Sequence, residues 1–321
     1  MKKVIVMALA VIMVVGLAAC SVSKKGNGII VKSMGTEFHY EKSPERVVVL
    51  GYDSAEIMVK LGLEDKIISL ATSEYDKSSL DAKTYKKIKD IKVLPDGNWP
   101  GVPNLETILA EEPDFVYGTG YSFSEKSCGK VDDFTNEGIN LYATEGTVAE
   151  NADIDAVYHD IENIGKIFGV EDKASKLVAE MKDKVKNVEA KVKDQEPVKA
   201  IILEGVSDRK IMLDGGVTFG SKMLERAGGE NVFKELKDFF PTVSIEELIT
   251  KNPSHIVVID FPAAPAKDTI KSLEAIEELK DVNAVKNKSY IIVPSIQLFP
   301  SAQSVDGIER MAMSLHPDVF K

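Results

Sequence analysis

At 321 residues the chain is long enough for two domains of about 100–200 residues each. Its 44% hydrophobic and 28% charged content lies near the globular average, which excludes a disordered tail and a multispanning membrane protein. A net charge of −11 gives an acidic surface that repels phosphate backbones, so no nucleic acid is expected as a partner. Arginine occurs only at positions Arg46, Arg209, Arg226 and Arg310, and cysteine only at Cys20 and Cys128. Two cysteines are too few for a disulfide scaffold or a thiolate metal cluster.

Lys2 and Lys3 precede an apolar run from Val4 to Ala19, shorter than the roughly 20 residues that span a bilayer. A basic start, an apolar stretch and small residues before the cut make residues 1–19 a secretory signal peptide. Leu17-Ala18-Ala19-Cys20 resembles a bacterial lipobox. That resemblance implies a palmitate-type diacyl anchor on Cys20 and a location on the extracytoplasmic face of the cell membrane. An ordinary signal peptide with a chance cysteine would lack the anchor. Cleavage removes Lys2 and Lys3 and takes the charge from −11 to −13. Ser21 to Gly28 is small, polar and basic and reads as a flexible tether. The lipidated cysteine and tether are assigned to 20–43, although a folded body already beginning near Ile29 is also expected.

From Arg46 the chain reads strand (Val47–Leu50), turn, and helix from Ala55 to Leu61, stopped by Gly62. An apolar run without alternation suits a strand buried on both faces. Ile67–Leu70 is the next strand, Leu105 to Glu112 a short helix, and Phe115–Tyr117 another strand. This alternation predicts a parallel α/β sheet over 44–150. Two helices follow in a linker, 151–196. One carries apolar residues at 3.6 spacing from Ile154 to Phe168 and is closed by Gly169. The other, over Glu171 to Asp194, would reach about 36 Å. A second α/β series over 197–321 has a strand at Ala200–Leu203, a hairpin through Lys210–Leu213 and a helix from Gly220 to Ala227. Residues 104–116 align without a gap on 244–256, each running N-cap, short apolar helix, proline, apolar strand. Duplicated lobes follow from that match.

The lipobox, the strand at 46–50, the 104–116 motif, the central helix, Ala227-Gly228-Gly229-Glu230-Asn231-Val232-Phe233 and Val243–Leu248 occur in this order. Together they resemble the iron-siderophore/cobalamin class of solute-binding proteins of ABC importers, over about 44–320. The resemblance implies two Rossmann-like α/β lobes bridged by one long α-helix, with a ligand cleft between the lobes and no resident cofactor. Its implied partners are an ABC importer permease and a ferric siderophore or corrinoid, with the receptor acting as a monomer. The family's permease-docking glutamates match Glu106 and Glu246. Each also stands at the second position of its helix, where the macrodipole favours an ordinary first-turn acid.

Ligands of open α/β sheets sit beyond the carboxyl ends of the strands. The loops expected there carry Tyr52, Trp99, Tyr121, Phe123, Phe240, Phe261 and Phe299, a set suited to a large flat or apolar ligand. Arg209 is the loop arginine, with Lys126 and Lys237 as helpers, or else it caps a hairpin. Arginine-poor loops favour a corrinoid or ferric hydroxamate over an anionic catecholate. A Zn or Mn receptor is the alternative, but His39, His159, His255 and His316 are too dispersed to meet in one cleft. An extracytoplasmic enzyme is less supported, for GxSxG, HExxH and P-loop motifs are missing.

Overall fold

A computed structural model describes residues 28–73, 75–97 and 101–321. The expectations for the signal peptide, Cys20 and Trp99 fall outside the described residues.

Strands β1 (Ile29–Ser33) and β2 (Thr36–Tyr40) form an antiparallel hairpin. Strict alternation turns Val31, Ser33, Phe38 and Tyr40 inward. The Tyr40 ring meets Phe115 edge-on at 6.0 Å, and Ser33 Oγ accepts the Ala143 N–H at 2.8 Å. The expected tether over 20–43 is therefore corrected from Ile29 onward, where a period-2 pattern clamps the chain onto the first lobe.

The N-terminal lobe is a five-stranded parallel sheet of β3 (Val47–Leu50), β4 (Ile67–Ala71), β5 (Lys92–Val93), β6 (Phe115–Thr119) and β7 (Asn140–Thr144). Their spatial order is β5-β4-β3-β6-β7. Helices α1 (Tyr52–Lys60), α2 (Ala82–Ile88), α3 (Leu105–Leu109) and α4 (Val131–Thr135) intervene. All four residues of β3 are buried, as a run without alternation requires.

Next come α5 (Ile154–Phe168), ended by a left-handed Gly169, and α6 (Glu171–Val192). The long helix spans about 33 Å and buries Ala174, Val178, Met181, Val185, Val188 and Val192 along one face. It is tied at both ends. Lys173 Nζ donates to the Leu61 carbonyl of the first lobe at 3.0 Å.

The C-terminal lobe has β8 (Val198–Ser207), β9 (Lys210–Leu213), β10 (Gly229–Asn231), β11 (Thr242–Val243), β12 (His255–Asp260) and β13 (Tyr290–Pro294). Their order is β11-β9-β8-β12-β13, with β10 also on β8. Its helices are α7 (Phe219–Arg226), α8 (Ile245–Lys251), α9 (Ala266–Glu274), α10 (Asn283–Lys286), α11 (Ser295–Leu298) and α12 (Ser304–Leu315). Lys184 of α6 pairs with Asp306 and, at 2.8 Å, with Glu309 on α12. Arg226 binds Glu189 of α6 at 2.7 Å and Asp153, the α5 N-cap, at 2.6 Å.

The internal match reappears as equivalent units: α3 then β6 beside β3, and α8 then β12 beside β8, both pairs parallel. The lobes differ where the β8–β9 hairpin replaces parallel strands. One apolar core runs from β3 through Met181 to Met311, and a second lies on the far face of the β8 sheet.

Candidate functional site: the cleft between the lobes

The carboxyl ends of both sheets face a narrow cleft where the two lobes meet. The first lobe contributes Tyr121, after β6, and Gly146 and Thr147, after β7. The second contributes Glu204 of β8, Asp214 after β9, the start of α7 at Thr218–Gly220, and Phe239, Phe240, Ile259 and Leu298–Pro300. The lobes touch at Gly146: a Cβ there would lie 2.6 Å from Pro300 Cγ.

Three of the expected aromatics line this cleft: Tyr121, Phe240 and Phe299. Tyr121 and Phe240 are 52% and 38% exposed, uncommon for large rings unless a ligand covers them. Phe261 stands behind Phe299, ring centroids 6.0 Å apart, and outside the lining. Tyr52 opens α1 and is buried, its phenol pKa raised by desolvation first and then by Tyr85 and Asp76.

Two expected positions go elsewhere. Phe123 packs edge-on against Phe134 at 5.7 Å inside the first lobe, because the turn after β6 folds back over α4. Arg209 occupies the β8–β9 turn, where Asp208 and Arg209 both have positive φ, and binds Glu278 at 2.6 Å. Its hairpin role replaces the one expected in the cleft. Lys126 and Lys237 are also absent from the lining.

Sequence reading missed Glu204, Asp214 and Phe219 as lining residues, while Phe239 lies in the loop it expected there beside Phe240. Glu204 had a signal, an acid placed directly after the apolar run Ala200–Leu203. Asp214 is 3% exposed, its Oδ2 accepts the Thr218 hydroxyl at 2.8 Å, and burial pushes its carboxyl up to about 6 against hydrogen bonds from Glu204 and Thr218. No Lys, Arg or His lies among the described lining residues.

A second polar group lies deeper in the first lobe. Asp160 Oδ1 accepts the Tyr142 hydroxyl at 2.7 Å and the Glu145 N–H at 2.9 Å. Burial pushes the carboxyls of both Asp53 and Asp160 up to about 7. Asp160 Oδ2, Asp53 Oδ2 and Tyr117 Oη have no partner, so neutral carboxyls suit this interior better than charged ones.

Glu106 and Glu246 are exposed at the second positions of α3 and α8. Asn104 caps α3 by accepting the Thr107 N–H at 3.0 Å, and Ser244 and Glu247 form a reciprocal capping box on α8. The histidines are scattered: His39 in β2, His159 in α5, His255 opening β12, and His316 bound to the Gly228 carbonyl at 3.0 Å. Cys128 is buried and unpaired, its thiol pushed up to about 11 by burial.

The chain is 28% identical over 285 residues to an uncharacterized ABC transporter substrate-binding lipoprotein, YvrC, of Bacillus subtilis, covering 88% of this chain and 83% of that one. It is 28% identical over 211 residues to a vitamin B12-binding protein of Vibrio parahaemolyticus, covering 65% and 68%. The solved structure of an ABC-type Fe3+-hydroxamate transport system protein from Saccharomonospora viridis superposes with a TM-score of 0.76 at 23% identity, over 90% of this chain and 99% of the other. These relatives carry the names of substrate-binding and transport proteins. The model of the periplasmic binding protein family matches residues 47–296, and with its two α/β lobes facing one cleft the chain belongs to that family.

Proposed function

We propose that the protein is a lipid-anchored, monomeric receptor on the extracytoplasmic face of the cell membrane. It captures a ferric siderophore or a corrinoid and hands it to the permease of an ABC importer. The observation that carries this reading is the aromatic lining of the cleft, in which Tyr121, Phe239, Phe240 and Phe299 offer rings from both lobes. Rings of this kind suit a large, partly apolar, partly flat ligand. The vitamin B12-binding relatives support the corrinoid branch. Glu106 and Glu246, one per lobe at equivalent helix starts, would engage two permease subunits. Trp99, which precedes α3 in the sequence, is proposed as a further ligand-contacting ring, with Tyr52 as another, and Phe261 as a ring supporting Phe299.

Native mass spectrometry of residues 21–321 against cobalamin, ferric hydroxamates, ferric catecholates and haem tests the receptor reading. One ligand per chain, released unchanged, is the expected result. Binding of none of these classes would overturn it.

A further inference from the structure

We propose that Glu204 and Asp214 determine the specificity of the cleft by selecting a ligand with no net negative charge that presents an amide or ammonium N–H to them. This inference rests on the receptor reading above and narrows it to a chemical class. Both residues line the cleft, Glu204 from within β8 where its register with β9 shifts and Asp214 directly after β9. Asp214 is nearly inaccessible, with one oxygen held by Thr218. Its other oxygen, Oδ1, is buried with no N–H or alcohol donor, and the neighbouring side chain that reaches the carboxyl is another acid, Glu204, which donates only while it keeps its own proton.

Two carboxyls brought together in a desolvated wall cannot both be ionised without cost, and a buried acceptor without a donor is costly as well. A ligand N–H, best of all a charged one, relieves both penalties at once. An anionic ligand worsens the first, and among the described lining residues it finds no cationic side chain. The arginine that could have served is bound to Glu278 in its hairpin turn. Gly220 lets the start of α7 lie close against Asp214, since a Cβ there would come within 2.4 Å of Oδ2. Around the acids, Phe219, Phe240 and Phe299 supply grip without charge.

The test compares four probes by intrinsic fluorescence and calorimetry at one pH: a linear ferric trihydroxamate with a free terminal amine, its N-acetylated form, a ferric tricatecholate, and haem. Cobalamin, which is amide-rich, serves as a fifth. The expected order is amine-bearing above acetylated, with the tricatecholate and haem weakest. Glu204→Gln and Asp214→Asn should each weaken the amine-bearing chelate by about ten- to a hundredfold and compress the order toward equality. Glu204 is partly exposed, so its variant remains informative if Asp214→Asn fails to fold. The proposal is overturned if an anionic chelate binds as tightly as the others, or if the order survives both substitutions. Chelate binding without any charge order removes this inference alone. If no chelate or corrinoid binds, the receptor reading falls and takes this inference with it.

Discussion

Replacing Gly146 with alanine tests whether the two lobes meet where Gly146 faces Pro300. The new Cβ would stand 2.6 Å from Pro300 Cγ and 2.9 Å from Pro300 Cβ. Carbon atoms at rest sit about 3.5–4.0 Å apart, so one lobe must retreat by about 1 Å. Overpacking of this kind costs about 1–3 kcal/mol. Gly146 has no positive φ, so alanine also gains about 0.4–1 kcal/mol by restricting the unfolded chain. A net loss on the order of 1–2 kcal/mol is expected, read as a lower urea midpoint at unchanged slope. Pro300→Gly removes both offending atoms. In that background Gly146→Ala should be neutral or slightly stabilising, giving a coupling of about 0.5–3 kcal/mol across the cycle. Equal costs in both backgrounds would mean that the lobes do not touch at this point.

Glu106→Ala and Glu246→Ala should each lower ligand uptake by cells while leaving the affinity of the isolated protein unchanged; lost affinity would move these residues into the site. Cys20→Ala should release the protein from the membrane fraction, and retained lipid labelling would refute the lipobox. Asp53 and Asp160 titrate near 7 in the folded protein against 3.8 ordinarily, so the folded state holds more protons between those values. Their contribution is complete below about pH 4 and is lost as pH rises through about 7. Urea midpoints of Asp160→Asn should therefore improve relative to the parent between pH 5 and pH 8, and a pH-independent difference would contradict the burial argument.

The strand at Val47–Leu50 and both linker helices were legible because burial on two faces, or along one stripe, leaves an unambiguous apolar period. The repeat at 104–116 and 244–256 was legible because proline and N-caps punctuate both copies alike. The hairpin at 29–40 was not, since its alternating pattern stands beside a polar tether that masks it. In the cleft, sequence reading favoured aromatics and arginine because those residue types advertise binding by themselves. Phe123 and Arg209 show its limit: a ring or a guanidinium on a loop is drawn equally well to its own lobe. Asp214 was invisible for the converse reason. A single acid in an acidic chain signals nothing until the fold removes its water.

The long helix α6, fixed to the first lobe through Lys173 and to the second through Lys184, works as the rigid back of a calliper. With that back shared and the apolar core continuous across it, the gap between Glu106 and Glu246 is expected to change little between full and empty jaws. Under the receptor reading, a transporter gauging that gap could scarcely tell a loaded receptor from a vacant one. Empty molecules would then queue for the same dock, and an excess of them would slow import. News of the cargo must travel through the rim of the cleft itself, by way of whatever part of the ligand the jaws leave uncovered.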